Sequence, residues 1–185
     1  MLQKNVNVFG LTVLLAGGPV LAYLMLVSSD EVHMRQMLRF TAWFAILIYM
    51  VVFVARPLNQ LVGSTFSRTL LRNRRYVGIA LAAVMTIHLV LLLIVNEQAF
   101  NIPGATIYLL MFLMLFTSFD GAPAKIGPRN WRVLHKAGLY GLGIAYLSSI
   151  GGALLKAPLD PVYLILTMLM LAAIAIRIAA FWKVR

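Results

Sequence analysis

Six apolar runs, each near the length that crosses a bilayer, partition this chain of 185 residues. A hydrocarbon core about 30 Å thick takes roughly 20 apolar residues per helix. Runs of that kind fall at 8–27, 38–55, 76–95, 104–119, 131–150 and 161–182. The fourth is short, and the sixth carries Arg177 near its end, where a long side chain can snorkel to the headgroups. Turn chemistry marks the joints: Ser28-Ser29-Asp30, Arg56-Pro57, Ile102-Pro103-Gly104, Gly121-Ala122-Pro123, and Pro158 with Pro161. The expected fold class is all-α, a polytopic membrane helical bundle of six transmembrane helices forming one domain over 1–185. Composition agrees, with 62% hydrophobic and 11% charged residues against about a quarter charged in a globular chain.

The run 8–27 reads as an uncleaved first span. It is long for a signal sequence, only Lys4 precedes it as a side-chain charge, and no A-x-A-like site follows. Basic residues then set the orientation. Alternate loops place thirteen Lys and Arg on one side (Lys4, the 56–75 and 125–136 segments, and Arg177 onward) and only Arg35, Arg39 and Lys156 on the other. The positive-inside rule puts both termini in the cytoplasm. The formal net charge of +11 therefore records orientation and contact with anionic membrane lipid, not nucleic-acid binding.

The chain has no cysteine, which excludes disulfides, thiolate metal sites, iron–sulfur clusters and a cysteine nucleophile. Redox chemistry would need a bound cofactor. No acid lies within a span: Asp30, Glu31, Glu97, Asp120 and Asp160 all fall at span ends or in loops, which argues against a proton or cation relay.

Two histidines are ionisable groups at membrane depth, a functional signal by default. His88 lies 13 residues after Arg75, about 20 Å along a helix rising roughly 1.5 Å per residue, toward the outer leaflet. His135 stands one turn past Arg132, near the cytoplasmic face. Each could fix helix packing through a hydrogen bond, or serve as an axial ligand of haem iron. Their depths differ too much for both to clamp one iron. His33, in an outer loop, has no such standing. The arginine-rich stretch 72–75, with Arg74 and Arg75, could hold haem propionates or a partner's acidic surface, or simply anchor the chain on anionic lipid. Methionines 111, 114, 168 and 170 read as packing, as do the glycines at 138, 141, 143, 151 and 152.

The segment Arg74-Arg75-Tyr76-Val77-Gly78-Ile79, followed by His88, resembles the third helix of the ferric-reductase-like transmembrane family. Thr117-Ser118, Gly127, then Trp131-Arg132-Val133-Leu134-His135 and Tyr140 resembles that family's T-S…G…W-x-x-L-H…Y stretch. Within the family the chain is most similar to the haem-binding membrane subunits of bacterial methionine sulfoxide reductase systems. The resemblance implies b-type haem, one or two, between the third and fifth helices. It makes His88 an outer ligand and His135 an inner one, with Arg74 where the inner partner ligand of the third helix would stand. The outer partner on the fifth helix would fall at Ser148 or Ser149. It further implies a membrane electron-transfer subunit of an oxidoreductase, relaying electrons from a cytoplasmic flavoprotein or quinol to an outer acceptor. With no flavin or nicotinamide domain expected in the chain, the donor would be a separate redox partner or a membrane quinol. The alternative is a haem-free scaffold or assembly subunit of a larger membrane complex.

Overall fold

The computed structural model describes residues 2–26, 30–95, 102–119, 121–157 and 159–184, which contain helices and no strand. Seven helices follow in order: α1 (Leu2–Leu26), α2 (Glu31–Val62), α3 (Thr65–Val95), α4 (Ile102–Phe116), the short α5 (Ala122–Ile126), α6 (Pro128–Lys156) and α7 (Pro161–Val184). Four of them, α2, α3, α6 and α7, are long and apolar enough to cross a membrane. The apolar stretches of α1 (Phe9–Val20) and α4 (Gly104–Phe116) are shorter. At about 1.5 Å per residue α4 rises only about 22 Å, less than a hydrocarbon core. Val27, Ser28, Ser29, Glu97, Asp120, Pro158 and Arg185 lie outside the described residues.

α2 begins on a capped turn. Asp30 Oδ1 accepts from the backbone N–H of His33 at 3.0 Å and meets its Nδ1 at 2.7 Å. Glu31 pairs with Arg35 at 2.6 Å. These anions sit where the helix presents its unpaired N–H groups. Asp30 is thus the cap, and His33, in the first turn of α2, is its partner.

The structure corrects the joint expected at Arg56-Pro57. α2 runs through Pro57 to Val62, and the turn comes at Gly63, whose φ of +64° is the left-handed geometry a C-terminal cap requires. Its N–H returns to Asn59 O at 3.1 Å. α3 then starts at Thr65, so the expected 56–75 loop is two helix ends and a tight turn.

A proline inside a helix deprives the carbonyl four residues earlier of its donor. Here that carbonyl belongs to Phe53, and Arg177 of α7 supplies the missing hydrogen bond, Nη1 donating at 3.0 Å. Lys183 Nζ donates to Leu61 O at 2.8 Å, one of the carbonyls any helix leaves open in its last turn. Two cations of α7 thereby close two gaps in the α2 ladder. The snorkelling expected of Arg177 is replaced by this contact, which sets the register between α2 and α7.

α2 packs on α3 and α7, α1 on α3, and α4 on α6. Tyr49, 0% exposed, stands at the centre of the core. Its ring lies 5.0 Å from Tyr146 and 5.5 Å from Phe53, and its hydroxyl donates to Leu139 O at 2.9 Å. That approach uses the bare surface of Gly143, where a Cβ would collide with the Tyr49 hydroxyl. Gly138 is filled from the other side by the Met114 thioether.

Candidate functional site

A cavity of about 480 Å³ lies between the 71–82 stretch of α3 and the first four turns of α6, the helices that carry His88 and His135. That falls within the roughly 300–1,000 Å³ of small-molecule and cofactor sites. Arg72, Arg74, Arg75, Gly78 and Ala82 of α3 form one wall, and Trp131, His135, Leu139 and Leu142 of α6 face them. Tyr49 of α2 and Met111, Met114 and Thr117 from α4 and the turn after it also line it. Small residues at 78 and 82 leave room on the α3 side, and three arginine side chains join the lining.

His135 is placed by the turn that ends α4. Thr117 follows the last residue of that helix, and its Oγ1 donates to Leu113 O at 2.6 Å. With its hydrogen so used, the hydroxyl accepts from His135 Nε2–H, 3.0 Å away, which leaves the imidazole lone pair on Nδ1. The Thr117 carbonyl, open at the helix end, accepts from Trp131 Nε1 at 2.9 Å. The Trp131 ring in turn stacks on His135 with centroids 4.2 Å apart. Gly127, at φ +83°, turns the chain into α6 with Pro128 as its first residue. The Thr117, Gly127, Trp131 and His135 positions of the sequence motif are thus one local device. It fixes the start of α6 against the end of α4 and aims one imidazole into the cavity.

A substitution isolates its polar half. Trp131→Phe keeps the stacking surface but strands the Thr117 carbonyl, and we expect a loss of about 1–2 kcal/mol. Denaturant titration in detergent micelles checks it, and an unchanged midpoint would show that water replaces the indole.

His88 lies elsewhere. α3 is unbroken from Thr65 to Val95, so the 13 residues from Arg75 carry His88 about 20 Å up the helix. Between the two levels Tyr146 O–H of α6 donates to Met85 Sδ of α3 at 3.3 Å. That contact lies one turn beyond Ala82 and Leu142, which line the cavity, and His88 is not part of the lining. Its Nδ1 is 2.9 Å from Thr41 Oγ1 of α2. The threonine hydrogen points to the backbone carbonyls of Met37 and Leu38, so Nδ1 of His88 carries the proton and Nε2 the lone pair. Half-buried and so held, it has the tautomer that a metal-ligating histidine uses.

The structure therefore brings His135, Arg74 and Arg75 to one cavity and leaves His88 on another level. Ser148 and Ser149 are exposed on α6. Among the described residues no three His, Cys, Asp or Glu side chains group as a metal site. Sequence reasoning did not assign roles to Thr117 and Trp131 beyond their place in the motif. Their spacing before His135 was the only signal. Tyr140, also in the motif, faces away from this cavity, its hydroxyl 3.2 Å from Arg177 Nε.

The lining offers two features that a flat, anionic, iron-containing macrocycle uses, one imidazole and a set of arginines. The imidazole meets an iron through Nε2 only by exchanging its hydrogen bond to Thr117.

Residues 40–146 match the sequence profile of the family described as ferric reductase like transmembrane component. No curated protein and no solved structure matches the chain.

Proposed function

Since the chain belongs to the ferric reductase like transmembrane component family, we propose that it is a b-haem-binding electron-transfer subunit of a membrane oxidoreductase. The observation that carries this reading is the α3–α6 cavity of about 480 Å³, with His135 and three arginines in its lining. When bound there, haem would supply reversible one-electron chemistry. In this proposal His135 would hold the haem iron. Arg74 and Arg75 face the propionates or the acidic surface of a donor, and Trp131 holds the plane of the imidazole. Arg74 takes the place of a second imidazole on α3, which favours the branch of the family that serves bacterial methionine sulfoxide reductase systems. α1 and α4 complete a six-span bundle, with both termini on the cytoplasmic side of an inner membrane. Electrons would enter from a cytoplasmic flavoprotein or a quinol and leave to an outer acceptor.

His88 marks a second level. Its Nδ1–H is fixed by Thr41, so Nε2 is the atom it offers to a second haem. The competing reading is a haem-free scaffold for a larger membrane complex. It draws on one observation: each histidine already has a threonine partner and no second imidazole nearby.

Oxidised and dithionite-reduced absorption spectra of the purified protein, with a pyridine haemochrome count, separate these readings. The expected result is a b-type Soret band that shifts on reduction and is lost in His135→Ala. Retention of one of two haems in His88→Ala would assign the second level. A colourless protein from haem-replete cells would discard the carrier reading in favour of the scaffold.

A further inference from the structure

A second cavity, of about 680 Å³, opens between α2, α6 and α7 on the far side of Tyr49 from the first. Its lining divides into two zones. Arg56, Lys136 and Arg177, with Gln60 and the Tyr140 hydroxyl, form a cationic and polar end. Ile144, Leu147, Met170 and Ile174 form an apolar wall that leads away from it. No carboxylate is in the lining.

Nothing described within the chain can neutralise these cations. Asp30 and Glu31 stand at the opposite end of α2, 25 residues from Arg56 at the nearer of the two, about 37 Å along the helix. Asp160 precedes α7 and is 17 residues from Arg177, about 25 Å away. The two ion pairs among the described residues are both in the first turn of α2.

One of the three cations is also prearranged. The Arg177 guanidinium is pinned by Phe53 O and the Tyr140 hydroxyl at 3.0 and 3.2 Å. It lies over the rings of Phe53 and Tyr140, 4.4 and 4.9 Å from their centroids. A fixed planar fork of this kind matches phosphate oxygens at little entropic cost. Arg56 and Lys136, both exposed, bring two more charges from two other helices.

We propose that this crevice is a binding site for an anionic phospholipid. Its phosphate would sit among Arg56, Lys136 and Arg177, and an acyl chain would follow the Ile144–Ile174 wall. Basic pockets between transmembrane helices recognise acidic headgroups in this way. A free phosphate would satisfy the cations but leave the apolar wall bare, and a neutral quinone would cover the wall but leave three cations unmatched.

The test delipidates the full-length protein in detergent and adds back phosphatidylglycerol, phosphatidylcholine, inorganic phosphate or a quinone, reading thermal stability and bound lipid by native mass spectrometry. Phosphatidylglycerol should raise the melting temperature and remain bound, with at least a tenfold preference over phosphatidylcholine. That preference should vanish in Arg56→Gln/Lys136→Gln, which leaves the Arg177 contact with α2 in place. It should persist in Arg35→Gln, at the other end of α2. Equal binding of the two lipids, or a preference that survives the double variant, overturns the proposal. So does stabilisation by inorganic phosphate alone, or by the quinone in place of lipid.

Discussion

Arg177→Leu is expected to destabilise the protein by about 2–3 kcal/mol, the cost of a buried acceptor left without its donor. The Phe53 carbonyl depends on Arg177 because Pro57, four residues on, has no N–H to give. The same logic predicts a rescue. Pro57→Ala restores the ordinary helical donor, so in that background Arg177→Leu should cost only about 1 kcal/mol, the part due to Tyr140 and ring contacts. The pair should then show a coupling energy of about 1–2 kcal/mol. A double-mutant cycle by chemical denaturation in mixed micelles measures it. Equal costs in the two backgrounds would mean that Arg177 acts through something other than the carbonyl that proline exposes.

Gly143→Ala should cost about 1–3 kcal/mol, whereas Gly138→Ala should be neutral or slightly stabilising. An added Cβ collides with a neighbour at either position, so distance alone does not separate them. The neighbours do. At Gly138 the obstacle is the end of Met114, an unbranched side chain that can swing aside. At Gly143 it is the hydroxyl of Tyr49, whose ring is boxed between Phe53 and Tyr146 and whose hydrogen is committed to Leu139 O. Overpacking against a rigid, fully buried ring is costly, while removing a glycine from a helix interior otherwise gains up to about 1 kcal/mol. Thermal melts of the two single variants decide the matter. Similar midpoints would show that the Tyr49 cage gives way more easily than its contacts imply.

The apolar runs announced an all-helical membrane protein because the bilayer demands long, uninterrupted apolar segments, and that demand is written locally. The motif around Thr117 and Trp131 was legible as a pattern, and its cause became clear only when the end of α4 met the start of α6. Pro57 was misread for a different reason. Proline followed by a basic cluster carries the signature of a loop, and the residue that lets the helix continue lies 120 positions later. No local rule connects Pro57 to Arg177. The separation of His88 from His135 followed from helical rise alone, since α3 has no break that could bring them level. The second cavity left no trace in the sequence, because its three cations come from three helices and each reads in isolation as a topology signal.

The bond between Arg177 and Phe53 has a consequence for how this protein is made. Synthesis delivers α2 to the membrane long before α7, so the second helix waits 124 residues of translation for the donor that closes its ladder. Through that interval α2 carries an open carbonyl, a defect that α7 mends when it docks. The docking of α7 on α2 is therefore coupled to the closing of the α2 ladder.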